Sequence, residues 1–209
     1  MTPVLTQPSW RRVSDVAAAV AVFRADINVV VVPAPLTEAI VAEALAIRDR
    51  PGCATMDVVE WGNRTIEAPR VLAEWPALGR DLDQWLELLH DLTGCPAIGV
   101  RLERATSAMC PRFHVDRVTL RLVRTYAGLG TEWLDEKDVL RDLLGHPGAD
   151  AGRDGGMKPG GSLLRAKPGD VVLLKGEAWP GQNGRGAVHR SPSATPDAPR
   201  VILTLDALA

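Results

Sequence analysis

A histidine and an aspartate stand two residues apart in Cys110-Pro-Arg-Phe-His114-Val-Asp116, and a second histidine follows far downstream in Gly184-Arg-Gly-Ala-Val-His189. In an extended segment, residues i and i+2 point to the same side roughly 7 Å apart. An imidazole and a carboxylate so placed can meet on one ion. His-x-Asp with a distant His is the ligand order of the two-histidine, one-carboxylate triad, which holds Fe(II) by one face and leaves positions open for a co-substrate and dioxygen. A surface strand that carries His and Asp in alternation by chance gives the same letters. His189, in a strand-and-turn context, shifts the balance, and His114, Asp116 and His189 are read as the metal-binding and catalytic residues.

Arg200 opens the last apolar run, Val201-Ile-Leu-Thr-Leu-Asp206, eleven residues beyond His189. It is either the charged start of an edge strand or a clamp for a carboxylate, because a planar guanidinium takes a carboxylate through two parallel hydrogen bonds. A 2-oxo acid chelating the metal at one end suits such a clamp at the other. Thr204, four residues along the same strand face, adds a hydroxyl. Arg121 and Tyr126 are rival or auxiliary anion binders. Cys110 reads first as an inert small hydrophobe and second as a thiolate ligand, which would favour zinc. His90 ends a helix, His146 falls in a loop, and Trp133 and Trp179 read as core or rim packing.

These residues need a scaffold. The 209 residues, 46% hydrophobic and 24% charged, suit one domain with a sizeable core. A net charge of -2 gives no general attraction to nucleic acid or to an anionic membrane. The apolar run Val16 to Phe23 is too short to span a bilayer and lacks the pattern of a secretory signal. Three cysteines without a Cys-x-x-Cys pair signal neither a disulfide framework nor a structural zinc site. The expected compartment is the cytoplasm, and the expected partner is a small-molecule or peptide substrate.

Residues 1–12 read as a loosely held arm. A helix is predicted from Ser14, its N-cap, to Phe23. Ile27 to Val32 is a β-branched run of strand length. A second helix is capped by Thr37, a strand covers Thr55 to Trp61, and Pro69 to Leu92 is helical with a break at Pro76 and Gly94 past its end. From Pro96 the chain turns to short strands: Ile98 to Glu103, Arg121 to Tyr126, Ser162 to Arg165, Asp170 to Lys175 and Val201 to Leu205. That is the pattern of a small sandwich or barrel, with a helical layer to back it. The whole chain is expected to form a single domain, with 1–95 a helix-rich elaboration and 96–209 the strand-rich core, interrupted by a glycine-rich insertion at 135–161.

With His114, Asp116, His189 and Arg200 in this order, the chain resembles the Fe(II)/2-oxoglutarate-dependent oxygenases. The resemblance implies an α+β fold: a double-stranded β-helix (jelly-roll, cupin-like) core in the C-terminal half, with the N-terminal helices packed on its sheet. It also implies iron and 2-oxoglutarate as cofactor and co-substrate, and hydroxylation of an unactivated C–H bond. More closely, Cys110 to Asp116, Thr131-Glu-Trp-Leu134 and Leu174-Lys-Gly-Glu-Ala-Trp-Pro through Pro192 are similar to a bacterial family, domain of unknown function 1826. That likeness lends weight to an alternative, a zinc-binding or other metal-binding cupin-like protein of metal homeostasis with no oxygenase activity.

Overall fold

The run of β-branched residues before Pro33 forms a strand because such side chains are stiff and pack well on a pleated surface. All four residues of Val29–Val32 are buried. The structure is a computed structural model and describes residues 7–52, 54–60, 70–144, 155–182 and 184–208. Its strands are β1 (Trp10–Arg12), β2 (Val29–Val32), β3 (Ala54–Glu60), β4 (Ala97–Ala105), β5 (Leu120–Ala127), β6 (Glu132–Leu134), β7 (Leu163–Arg165), β8 (Val171–Lys175), β9 (His189–Arg190) and β10 (Arg200–Leu208). Two α-helices, α1 (Glu38–Asp49) and α2 (Pro76–Thr93), complete the scaffold.

The strands form a major sheet in the order β1-β2-β8-β5-β10-β4-β3 and a minor sheet in the order β7-β6-β9. Trp133 and Leu164 of the minor sheet pack against Val29, Val31, Val123, Val172, Leu174 and Ile202 of the major one. This is the double-stranded β-helix, an α+β fold with its helices on the outer face of the major sheet. Strand alternation divides the side chains between the two faces. Val201, Leu203 and Leu205 of β10 face a core shared with Leu82, Trp85 and Leu89 of α2. Arg200, Ile202, Thr204 and Asp206, at the alternate positions, face the interior between the sheets.

Thr37 Oγ1 accepts from Ile40 N at 3.3 Å and starts α1 as expected. Pro76 takes the first turn of α2, where its missing N–H costs nothing. Glu43 reaches over from α1 to accept from Ala77 N and Leu78 N at 3.0 and 2.8 Å. Gly94 closes α2 in the left-handed region, at φ 63°.

The N-terminal stretch differs from the expectation of an arm. Trp10–Arg12 is a strand parallel to β2, anchored by two hydrogen bonds from Arg12 to Asp170 at 2.9 and 2.8 Å and by Ser9, which donates to Asp135. The helix expected from Ser14 is a 3-10 helix, Ala17–Phe23. Asp15 accepts from Ala18 N in its first turn, while the Ser14 hydroxyl turns to Asp15. Residues before position 96 thus contribute three of the seven major-sheet strands as well as the helices. Within the insertion, the described part holds 3-10 turns at Glu136–Asp138 and Arg141–Leu143; His146 lies outside the described residues. No helix among the described residues is long and apolar enough to cross a membrane.

Candidate metal centre

His114 and His189 face each other as an isolated antiparallel bridge, in which each amide donates to the other's carbonyl at 3.0 Å. Residues paired in this way project their side chains to the same side. The two imidazole rings stand 4.5 Å apart between centroids. Only His114 itself is bridged, yet the chain stays extended for two residues, so Asp116 returns to that side. Its Oδ2 lies 3.1 Å from His189 Nε2 and its Oδ1 3.6 Å from His114 Nε2. Ligand atoms of the three residues all fall within 4.8 Å of one another.

The hydrogen bonds behind the rings decide which nitrogens face inward. His114 Nδ1 lies 3.0 Å from Arg112 O, and His189 Nδ1 lies 3.0 Å from Ala187 O. A carbonyl accepts only, so each Nδ1 carries a proton and each Nε2 is the nitrogen turned inward. Both Nε2 atoms then face the Asp116 carboxylate, whose Oδ2 is buried with no hydrogen-bond partner. Positive charge has to stand between these nitrogens and the carboxylate, ring protons or a metal ion in their place, and backbone-held Nδ1–H groups are the usual outer support of metal-binding histidines.

Arg121 holds the carboxylate in place. Its Nη1 donates to Asp116 Oδ1 at 2.7 Å, while Nε and Nη2 donate to Asp206 at 2.6 and 2.8 Å. Burial opposes the Asp116 charge, but both histidines and Arg121 outweigh it, and the carboxyl stays well below the usual range. At His114 burial again disfavours the charged ring, and Asp116 with the Arg112 carbonyl raises its pKa in spite of it. Backbone packing fixes the same loop from below. Glu177 N donates to Asp116 O at 2.8 Å, and a Cβ on Gly176 would stand 1.8 Å from Val118 O. Only glycine lets the ligand loop dock on the end of β8.

A cavity of about 70 Å³ opens beside the triad between the sheets, lined by residues that include His114, His189, Arg121, Thr131, Ile202 and Thr204. Arg200 lies on the same inner face of β10, 1% exposed. Its Nε donates to Leu129 O at 2.6 Å, but Nη1 and Nη2 are buried without any partner. Burial pushes its pKa down to about 10. A guanidinium is rarely left in this state, because an unpaired buried charge costs on the order of several kcal/mol.

Of the residues singled out in the sequence, His114, Asp116 and His189 come together, and Arg200 and Thr204 share their side of the sheet. Arg121 is committed to two carboxylates. Tyr126 lies on the opposite face of β5, where its hydroxyl donates to Asp81 at 2.7 Å; a role beside the metal has no geometric basis there. Cys110 is exposed at the rim of the cavity and is not in the ligand group. Trp133 packs between the sheets, and Trp179 stacks against Phe23. Asp206 was missed by sequence reasoning; the antiparallel pairing that sets it opposite Arg121 is what would have revealed it.

Residues 14–206 match the model of the family described as "Protein of unknown function (DUF1826)". The chain belongs to this family. No curated protein matches this DUF1826 member. Solved structures similar to it include a dioxygenase for auxin oxidation in rice, with 17% identity, 93% of this chain and 77% of that one covered, and a TM-score of 0.48. A Pseudomonas putida prolyl-4-hydroxylase gives 17% identity, 93% and 99% coverage and a TM-score of 0.49. The non-heme alpha ketoglutarate dependent epimerase SnoN from nogalamycin biosynthesis gives 18% identity, 91% and 82% coverage and a TM-score of 0.46. At these identities and scores no function carries over to the DUF1826 chain, and its chemistry has to come from its own residues.

Proposed function

We propose that the protein is a mononuclear non-haem Fe(II), 2-oxoglutarate-dependent oxygenase of the hydroxylase type. The observation that carries this reading is a pair of complementary unmet demands on one inner surface. Ligand atoms of His114, Asp116 and His189 lie within 4.8 Å of one another, with Asp116 Oδ2 lacking a hydrogen bond, and a buried guanidinium has two nitrogens without an acceptor.

The residues fit the absent groups. Two imidazole nitrogens and one carboxylate would suit Fe(II) and would leave it positions for a co-substrate. Among the described residues no fourth His, Cys, Asp or Glu joins them to close the site. Arg200 offers two parallel N–H groups to the far carboxylate of 2-oxoglutarate, and Thr204 adds a hydroxyl between Arg200 and the triad. When bound, iron and 2-oxoglutarate supply the oxidation: dioxygen places one oxygen in a substrate C–H bond and the other in succinate, with release of carbon dioxide. The protein's share is geometric. Arg121 and the two backbone-held Nδ1–H groups keep the ligand atoms aimed, and the apolar layer of Val123, Trp133 and Ile202 excludes water from the inner end.

The test is an anaerobic titration of metal-free protein with Fe(II) and then 2-oxoglutarate, read by the weak visible charge-transfer band of the chelate. We expect the band in the natural protein and its loss in Arg200→Met, with Fe(II) still bound. Tight Zn(II) binding with no response to 2-oxoglutarate overturns the oxygenase reading in favour of a metal-binding role.

A further inference from the structure

The major sheet is wider than the minor sheet that covers it. Among the described side chains, the apolar cluster between the sheets draws on β2, β5, β8 and β10 but on none of β3 or β4. On those two strands the inner face continues outward in cross-strand rows. Met56 is opposite Arg101, which is opposite Thr204, and Val58 is opposite Gly99, which is opposite Asp206. Met56 is 83% and Val58 55% exposed, so two apolar side chains stand in the open beside the cavity mouth. Between them and the metal side the floor is low, because position 99 has no side chain and a Cβ there would first meet Asp206 Cβ at 3.7 Å.

Arg101 stands at the joint between this strip and the cavity, which it lines with His114 and His189. It is half-buried, and it makes no hydrogen bond or ion pair with any described residue. Glu103, two positions along the same face, is not paired with it. The other two arginines that line the cavity have partners. Arg121 is held by Asp116 and Asp206, and Arg190 by Glu132. On the oxygenase reading, a divalent ion, a dianionic co-substrate, Asp116 and Arg200 balance one another. Arg101 takes no part in that balance and stands without a paired carboxylate two strand spacings from β5, or about 10 Å.

We infer that Arg101 with Met56, Val58 and Gly99 forms the substrate subsite, and that it takes an organic carboxylate with an apolar tail. Arg101 binds the carboxylate, Met56 and Val58 cover the tail, and Gly99 leaves room for the body of the molecule to lie across β4 toward the triad. That the bound acid is a substrate rests on the oxygenase reading, but the binding itself does not need the metal. Arg101 is a specificity-determining residue here, separate from the Arg200 clamp.

The test uses the full chain labelled with ¹³C at its methionine methyl groups, four in all, and titrated with octanoate, first metal-free and then with Zn(II) and 2-oxoglutarate as a diamagnetic load. Met56 borders the strip, Met109 lines the cavity, and Met157 packs in the separate Phe113 cluster as a control. Octanoate is expected to shift the Met56 and Met109 signals saturably and to leave Met157 in place, while octylamine shifts none of them. Arg101→Gln should weaken octanoate about ten-fold, the scale of one charge-assisted hydrogen-bonded contact, and Arg101→Lys should recover part of it. Equal binding of octylamine, or octanoate binding unchanged in Arg101→Gln, overturns the subsite. Loss of the Fe(II)/2-oxoglutarate band in Arg101→Gln also overturns it, by moving Arg101 to the co-substrate. A normal band with no octanoate response defeats the subsite alone. Octanoate binding through Arg101 without any band defeats the oxygenase reading alone.

Discussion

Two arginines, Arg124 and Arg200, are each 1% exposed in the same sheet, on opposite faces. Arg124, on the helix side, is engaged through both terminal nitrogens and an ion pair, although its Nε makes no hydrogen bond. Its Nη1 donates to Ala34 O and Gly169 O at 3.0 and 2.6 Å, and its Nη2 to Asp81 Oδ1 at 3.0 Å. Its Nε lies 2.7 Å from Asp81 Oδ2, and Trp85 and Tyr126 lend their ring faces at 5.0 and 5.4 Å. Arg200, on the inner side, has one carbonyl. The Arg124 cation has acceptors built in at both terminal nitrogens, as a scaffold residue needs; Arg200 has none at either, which is the demand the proposed co-substrate would meet.

The contrast is tested most severely by Asp81→Ala. Asp81 also accepts from Trp85 Nε1 and Tyr126 Oη, so its removal strands one charge and two dipoles in the helix-side core. We expect a loss of about 3–5 kcal/mol in urea unfolding. A loss below about 1 kcal/mol, the scale of one ordinary hydrogen bond, would mean that Arg124 is no more structural than Arg200.

Arg200→Met is the converse. In ligand-free protein it removes an unmatched charge and keeps the volume, so stability is expected to hold or to rise by roughly 1 kcal/mol. A marked fall in the unfolding midpoint would show that Arg200 serves the fold, and the reading of the inner face would have to change.

The smallest effect concerns Lys175, a third buried cation, at the end of β8. Its Nζ donates to Arg24 O at 2.8 Å and sits 5.0 Å over the Trp179 ring. Burial pushes its pKa down to about 8 from 10.5, opposed by Asp26. Between those values the unfolded chain holds a proton that the folded chain has released, so stability rises with pH from about 8 to 10.5 and is lower below 8. Unfolding midpoints across that range should slope upward in the natural protein and flatten in Lys175→Met. An unchanged slope would show that Lys175 is solvated.

Much of this was legible in the residues. The β-branched run at Val29–Val32, the Thr37 cap and the Gly94 stop are local signals, and local physics is enough to place them. The convergence of His114, Asp116 and His189 was legible because alternation and chain order are properties of the sequence. What escaped depends on partners far along the chain. Trp10–Arg12 has little strand character of its own; it becomes β1 because Val29–Val31 lies beside it and Asp170 holds Arg12. Arg121 has the chemistry of an anion binder, and only the register of β5 on β10 shows that its anion is Asp206. Tyr126 is separated from the site by the parity of β5, which becomes readable once Val123 and Leu122 are known to face opposite cores.

The bridge between His114 and His189 joins segments 75 residues apart by two hydrogen bonds, at the end of a strand only two residues long. A pairing so brief has little lifetime of its own. Any ion gripped by the same two side chains therefore clamps the backbone as well, and it adds stability in proportion to the logarithm of its concentration. On the proposed metal site, opening this seam would also release the ion, so metal residence time and opening of the barrel at this corner would be linked.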